Sequence, residues 1–396
     1  MPEHASRIEP ARLESLPESI ADLVAKLSSA GVLLGSSLHP TTAANLASLV
    51  RIMNTYYSNL IEGHDTRPRE IERALAGNFD QDKVRRNLQL EAAAHVRVQE
   101  QIDRMAAENS LPDPASADFI KWLHLEFYRD APEEMLLIKS AHAETKMIPG
   151  TWRSLPEHDV AVGRHVPPSS KSVVEFMQHF QSRYDFSRMG MGAQIAAIPA
   201  AHHRFNYIHP FIDGNGRVSR LISHAMALKA GIGAHGLWSV SRGLARGLKS
   251  RTEYKAMLDL GDSPRAGDFD GRGNLSQSAL IEFTEWFLAV CLDQVAFMSE
   301  LFDLRNLDAR LVNYVHKSDK LKPESADLLK EALIRGSFER GEAERITRLP
   351  ERSARRVLND LIDEGLLASS TPKGAVSLRF PVQSLEALFP KLYPES

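Results

Sequence analysis

Apolar residues recur every three or four positions through most of this 396-residue chain, and runs that alternate as a strand does are few. A chain patterned in this way must bury helix faces against one another, so the fold class read from the sequence is mainly α. Thr41 and Thr42 cap a helix whose apolar face is Leu46, Leu49, Ile52 and Met53; it runs toward Glu62 and stops near Gly63. Thr66 followed by Pro68 starts the next helix. Asn87 to Met105 and Ser116 to Tyr128 are two more, the latter with Phe119, Leu123 and Phe127 on one face. Residues 1–40 read as a loosely patterned leading segment broken by Pro10, Pro17 and Pro40. The segment Met147 to Pro168 interrupts the pattern, and Val160, Val162, His165 and Val166 predict a short hairpin within it. Helices resume from Lys171, and Ile281 to Val315 reads as one core or domain-bridging helix.

Beyond Lys322-Pro323 the character changes. Helices are expected over Ser325–Ile334, Gly341–Thr347 and Pro350–Asp363, and then alternation around Pro372-Lys373-Gly374 predicts a hairpin. Three helices followed by a hairpin is the outline of a winged helix-turn-helix. Arg348, Arg352, Arg355 and Arg356 cluster at the start of its third helix, where such a fold would read DNA; Glu344, Glu351 and Asp360 dilute that field, and contact with a protein partner is the alternative.

Composition narrows the function classes. The net charge of −3 excludes a protein that coats nucleic acid through bulk charge. The single cysteine, Cys291, excludes an intramolecular disulfide and zinc fingers and suits a reducing, cytoplasmic setting. The first residues lack the apolar core of a signal peptide, and the most apolar stretch, Ile281 to Val295, carries Glu282, Glu285 and Asp293, so no membrane partner is expected.

The segment His209 to Arg220, HPFIDGNGRVSR, carries the chemistry. Gly214 and Gly216 let the backbone bend tightly and bring N–H groups close to a ligand. Val218, Leu221, Ile222 and Ala225 keep helical spacing, so the glycine loop opens into a helix N-terminus, which favours an anion. Arg217 and Arg220 are three apart and share a face near that first turn; amides plus two guanidiniums make a polyphosphate site. Asp213 beside it can hold a divalent cation, His209 can take a proton from a nucleophile, and Phe211 would anchor the loop in the core. No glycine is followed by Lys and then Ser or Thr, so there is no Walker A loop, and the third glycine of a dinucleotide fingerprint is missing.

HPFIDGNGR resembles the motif of Fic proteins, HPFx(D/E)GN(G/K)R, and the likeness extends to Arg220. It covers about residues 40–300 and includes the upstream helix with His202 and Phe205 and the PGTWR…VAVG…VPP segment, which is similar to the family's flap (Val160, Ala161, Val162, Gly163). The resemblance implies a Fic-type helical bundle that transfers AMP from ATP, with magnesium, to a Ser, Thr or Tyr hydroxyl of a target protein. It implies that His209 deprotonates the hydroxyl, Asp213 binds magnesium, Gly214, Asn215 and Gly216 hold the α- and β-phosphates, Arg217 supports the polyphosphate and Arg220 takes the γ-phosphate. Ser58-Asn59-Leu60-Ile61-Glu62-Gly63 resembles the family's inhibitory motif, (S/T)xxxE(G/N). Ser58 and Glu62 are i and i+4, so both face one way, and Glu62 directed at Arg220 would occupy the group meant for the γ-phosphate. Tyr254 and Asp262 fall where the family lines its adenine pocket, although Asp262 departs from the expected amide.

Plainer readings stand beside these. His209 to Arg220 could be an ordinary helix-entry turn, or His202, His203, His209 and Asp213 a transition-metal site, which leaves two glycines and two arginines unexplained. His202 is read as a core histidine, Tyr254 reads equally as core, Glu62 as a solvated helix end, and the flap as a surface hairpin rather than an edge for strand addition by the target. The domain division expected is a leading segment 1–40, N-terminal helices with the inhibitory motif over 41–110, a Fic catalytic domain over 111–315 and a winged-helix module over 321–396. Two rivals to AMP transfer are kept: removal of AMP at the same site, with Glu62 orienting water, and a DNA-binding regulator whose Fic site senses nucleotide. Self-modification and a homodimer are the remaining partner expectations.

Overall fold

The structure is a computed structural model and describes residues 3–139 and 144–392. The described residues form two compact units: one gathers Asn54–Gly233 and Ser239–Gln294 with the N-terminal segment up to Gly31, the other Val32–Met53, Ala234–Trp238 and the C-terminal segment from Val295.

In chain order the helices are α1 (Glu18–Ser36), α2 (Pro40–Ile61), α3 (Pro68–Leu75), α4 (Lys83–Ala107), α5 (Ala117–Tyr128), α6 (Val173–Arg183), α7 (Met191–Ile208), α8 (Asn215–Lys229), α9 (Val240–Arg246), α10 (Glu253–Gly261) and α11 (Gln277–Leu301). The mainly helical expectation holds. Ser116 caps α5, its Oγ accepting the Phe119 N–H at 3.3 Å, and Asp82 caps α4 through the Arg85 N–H at 2.9 Å. α8 is buried along nearly its whole length and packs against α7, α4 and α5, so it is the central element of the first unit. α7 runs through Pro199 and is buried from Ile195 to Phe205. The N-terminal residues add a strap: buried Arg204 of α7 donates from Nε and Nη2 to the Pro10 carbonyl (3.2 and 2.9 Å) and from Nη1 to the Gly261 carbonyl (3.1 Å).

The structure departs from four local expectations. Residues 1–40 are not loosely patterned: α1 fills Glu18–Ser36 with Ile20, Val24, Leu27 and Leu34 buried, because Pro17 and Pro40 flank the helix and do not interrupt it. By length and apolar composition α1, and not the stretch Ile281–Val295, is the described helix that reaches the size of a membrane span. The span 281–315 is two helices, because Asp303 caps α12 (Leu304–Lys317) by accepting the Asn306 N–H at 3.0 Å. The paired strands before α6 are β1 (Leu137–Lys139) and β2 (Glu144–Lys146), antiparallel with Leu137 opposite Lys146. At 160–166 the expected hairpin shrinks to one antiparallel bridge, Val162 with His165, closed by two 3.0 Å hydrogen bonds across a turn in which Gly163 has φ +60°.

The second unit continues with α13 (Ser325–Arg335), α14 (Ala343–Thr347), α15 (Glu351–Asp363), an antiparallel hairpin of β3 (Leu367–Ala368) and β4 (Ser377–Leu378), and α16 (Val382–Leu388), which the sequence reading did not anticipate. Its core takes Ala354, Val357, Leu358 and Leu361 from one face of α15, which leaves Arg352, Arg355 and Arg356 exposed on the other. Thr42 Oγ1 donates to the Leu333 carbonyl at 3.0 Å within the same unit.

Candidate nucleotide-binding site

The glycine loop is built as a bridge between α7 and α8. α7 ends at His209, a non-glycine residue held at φ +52°. Phe211 is fully buried, stacked on His124 at 3.9 Å between ring centres and tilted against Trp152 at 4.6 Å, which anchors the loop. Asn215 closes it: its Oδ1 accepts the Phe211 N–H and its Nδ2 donates to the Phe211 carbonyl, both at 2.9 Å. Gly214, at φ +81°, is the N-cap of α8, and a Cβ there would lie 2.8 Å from Tyr128 Oη, so shape and backbone both require glycine. His124 Nε2 donates to the Asp213 carbonyl at 3.2 Å while its Nδ1 accepts the Gly150 N–H at 2.9 Å.

Opposed charges converge on the first turn of α8. Arg220 is almost wholly buried; its Nε donates to Ser58 Oγ at 2.9 Å, and its Nη2 to the Ser58 carbonyl at 3.2 Å and to Glu62 Oε1 at 2.6 Å. A Cβ on Gly216 would sit 2.5 Å from the same Glu62 oxygen, so the carboxylate lies against the N-terminal turn of α8. Glu62 directly follows the last residue of α2, so it stands where one helix ends and another begins. Burial acts to raise its pKa, but Arg220 and then Arg217 outweigh that and hold the carboxyl below its ordinary value. Arg217, also buried, pairs through Nη1 with Glu91 Oε1 of α4 and through Nη2 with Asp213 Oδ2 at 3.3 Å. Asp213 is half-exposed and receives Tyr128 Oη at 3.5 Å; burial raises its pKa, with the Gly214 amide opposing and Glu62 adding to the rise. Burial, then Arg153, pushes the His209 imidazole down to about 4, so it is neutral at physiological pH.

Arg153 joins the loop to the turn at 160–166. Its backbone N–H donates to the Pro210 carbonyl at 2.9 Å, and its guanidinium to the carbonyls of His209 (2.7 Å), Ile208 (3.1 Å) and Pro168 and to Asp159 Oδ1 (3.1 Å). Arg7 adds a bond from Nη2 to the Val166 carbonyl at 2.6 Å. His165 meets Asp262 Oδ2 at 3.0 Å and the Tyr207 carbonyl at 2.8 Å, and His203 meets Asp262 Oδ1 at 3.3 Å. Burial acts to raise the Asp262 pKa, but the bonds from His165 and His203 hold it well below the usual carboxylate range. The turn carrying Val160, Ala161, Val162 and Gly163 is thereby tied to the end of α10.

The structure thus brings His209, Asp213, Gly214, Gly216, Arg217, Arg220, Ser58 and Glu62 to one place. The Asn215 side chain bonds the Phe211 backbone in the same loop, at the first residue of α8. Tyr254 is buried, its hydroxyl 2.7 Å from His202 Nε2, and His202 Nδ1 meets Ser223 Oγ at 2.8 Å. With His202 so engaged and His203 bonded to the Leu258 carbonyl, these two histidines of the transition-metal alternative serve the core, and among the described residues no group of three or more His, Cys, Asp or Glu side chains could hold a metal. Glu91, Tyr128 and His124 were given no site role in the sequence, since each is distant from the motif and carries no local signal, whereas Arg153 stands in the quoted PGTWR segment without a role of its own.

Comparison with known proteins agrees with this geometry. Residues 114–227 match the Fic/DOC family model. A stretch of 72 residues is 38% identical to the protein adenylyltransferase Fic of Aedes aegypti, covering 18% of this chain and 14% of that protein. A stretch of 76 residues is 40% identical to the protein of the same description from Drosophila willistoni, covering 19% and 15%. The matched part is thus about one seventh of the curated relatives' length. Among solved structures, a Fic family protein from Desulfovibrio desulfuricans G20 superposes with a TM-score of 0.52 at 17% identity over 93% of this chain and 98% of that one. A Fic domain-containing signaling protein from Bacteroides thetaiotaomicron VPI-5482 gives 0.50 at 18% identity, over 71% and 95%. The fold is that of Fic structures, and this chain carries a Fic/DOC-family domain over residues 114–227.

Proposed function

We propose that the chain transfers AMP from ATP to a Ser, Thr or Tyr hydroxyl of a target protein, releasing pyrophosphate, and that Glu62 holds this activity down. The observation that carries the reading is the convergence of a neutral His209, the half-exposed Asp213 carboxylate and two buried arginines on the N-terminal turn of one helix. One ring nitrogen of His209 is engaged by the Asn206 carbonyl, which leaves the other to take the hydroxyl proton as the oxygen attacks the α-phosphorus. The α8 amides receive the phosphates, and Arg220, once released from Glu62, receives the γ-phosphate. Asp213 offers one hard, accessible oxygen donor, which fits a magnesium ion whose other ligands are phosphate oxygens and water. Magnesium there would neutralise charge on the polyphosphate. Labelled ATP incubated with the protein and a cell lysate tests the reading: His209→Ala should lose transfer by about 10²–10⁴ while still binding ATP. Equal turnover by wild type and His209→Ala would refute it.

In the second unit, the exposed Arg352, Arg355 and Arg356 favour reading α13 to β4 as a winged helix that contacts DNA. A gel shift at two salt concentrations tests this, because phosphate contacts must weaken as salt rises.

A further inference from the structure

Glu91 lies on α4, well over a hundred residues from the motif, yet it is buried and its carboxylate meets Arg217 Nη1. We propose that Glu91 is a positioning residue that keeps Arg217 from neutralising Asp213, and so sets how readily Asp213 accepts a divalent cation. The inference rests on the reading of Asp213 as the cation's ligand.

The argument is one of charge allocation. A buried guanidinium needs acceptors close to its N–H groups, because an uncompensated buried charge is strongly destabilising. Arg217 has two within reach: Glu91, in close contact with Nη1, and Asp213, at 3.3 Å from Nη2. The rings of Phe127 and Tyr128 stand 5.4 and 5.8 Å from its guanidinium carbon and fix its plane. Arg217 Nε is buried without a hydrogen-bond partner, so the side chain is already under-satisfied. Glu91 is therefore the acceptor that meets the demand, and Asp213, accessible on its outer side, is only lightly engaged. With Glu62 replaced as well, removing the Glu91 charge leaves Asp213 as the carboxylate bonded to Arg217, and Arg217 then competes directly with a cation for the same oxygens. His64 Nδ1 also approaches Glu91, 3.6 Å from Oε1.

The test is Mn²⁺ binding, read by electron paramagnetic resonance with a non-hydrolysable ATP analogue, in the full chain carrying Glu62→Gly so that the nucleotide has access. Glu91→Gln should weaken Mn²⁺ binding by about tenfold or more, the size typical when the partner of a metal ligand is lost. Glu91→Asp, which keeps the charge, should hold Mn²⁺ affinity nearer the parent value than Glu91→Gln does, which a loss of structure would not produce. Binding of the analogue in chelator should be the same for Glu91→Gln and its parent. Asp213→Ala separates the two readings. If Asp213→Ala binds Mn²⁺ as its parent does, Asp213 is not the ligand; if Asp213→Ala loses binding while Glu91→Gln titrates unchanged, the role given to Glu91 is wrong. An equal loss in Glu91→Gln and Glu91→Asp would also overturn it.

Discussion

Glu62→Gly should raise activity. The substitution removes the carboxylate that meets Arg220 at 2.6 Å and leaves the arginine with Ser58 Oγ and the Ser58 carbonyl, so the guanidinium stays oriented. Two unit charges about 4 Å apart attract by about 4 kcal/mol at an effective dielectric of ~20. The Glu62 side chain is 30% exposed, so water and salt return part of that, and the net bias toward the blocked state comes to about 1–3 kcal/mol. That is about 5- to 150-fold in the population able to take the γ-phosphate. The end of α2 should itself lose little. α2 ends at Ile61, so a glycine at 62 costs at most about 1 kcal/mol of helix propensity. A carboxylate at the C-terminal end of a helix opposes the dipole by about 0.3–1 kcal/mol, and its removal offsets much of this. Self-labelling and lysate labelling with tagged ATP, at equal protein and ATP, should show the gain, and Glu62→Gly with Arg220→Ala should lose it. If Glu62→Gly is no more active than wild type in both assays, the inhibitory reading fails.

Burial holds His95, His124, His202 and His209 to about 3, 4, 3 and 4, all below the ordinary 6.5. The unfolded chain therefore binds more protons below pH 6.5. Stability that is full above that value should drain as pH falls toward the folded values, by about 1.4 kcal/mol per pH unit for each histidine. Melting temperatures should hold from pH 7.5 to about 6.5 and fall from there toward pH 5, and a flat profile across that lower range would contradict the burial of neutral rings. The same depression keeps His209 deprotonated, so turnover should show no inflection near pH 6.5; a half-maximal rate there would count against His209 as the base. Gly214→Ala drives a methyl into Tyr128 Oη at a left-handed φ and should cost about 1–3 kcal/mol, read as a lower denaturant midpoint. Arg153→Lys cannot reach the carbonyls of Ile208, His209 and Pro168 together and should lower the melting temperature; an unchanged melt would mean the guanidinium bonds contribute nothing.

What was legible in the sequence was contiguous. The loop opening into α8, the anchoring Phe211 and the helices with clear caps, such as α5 behind Ser116, follow from local spacing. The pairing of Glu62 with Arg220 was implied by the resemblance to the inhibitory motif; spacing added only that Ser58 and Glu62 share a face, and the Ser58 bonds to Arg220 were not expected. α1 was missed because prolines at its flanks were weighed as breaks within it. The separation of α11 from α12 turns on Asp303 acting as a cap, and an Asp in an apolar run is equally compatible with a solvated helix face. Glu91 and Tyr128 were out of reach, since only packing of α4 and α5 against α8 brings them to Arg217 and Asp213. The two bonds from the Asn215 side chain to Phe211 depend on a loop geometry that spacing does not encode.

The chain has one cysteine, and its buried arginines act as cross-links where other proteins would use disulfides. Arg204 ties residue 10 to residue 261, and Arg153 ties residue 168 to residues 208 and 209. Each bridge ends on backbone carbonyls, so it fixes the path of the main chain whatever side chains those positions carry. Such staples are indifferent to reductant and reform on refolding without an oxidant. They also fail together: once one arm of a buried guanidinium opens to water, the remaining arms lose the dry surroundings that made them strong. Amides of the strap near Pro10, of the segment before α6 and of the His209 loop should therefore exchange with solvent as a single cooperative set, at one opening free energy, although they lie up to 200 residues apart.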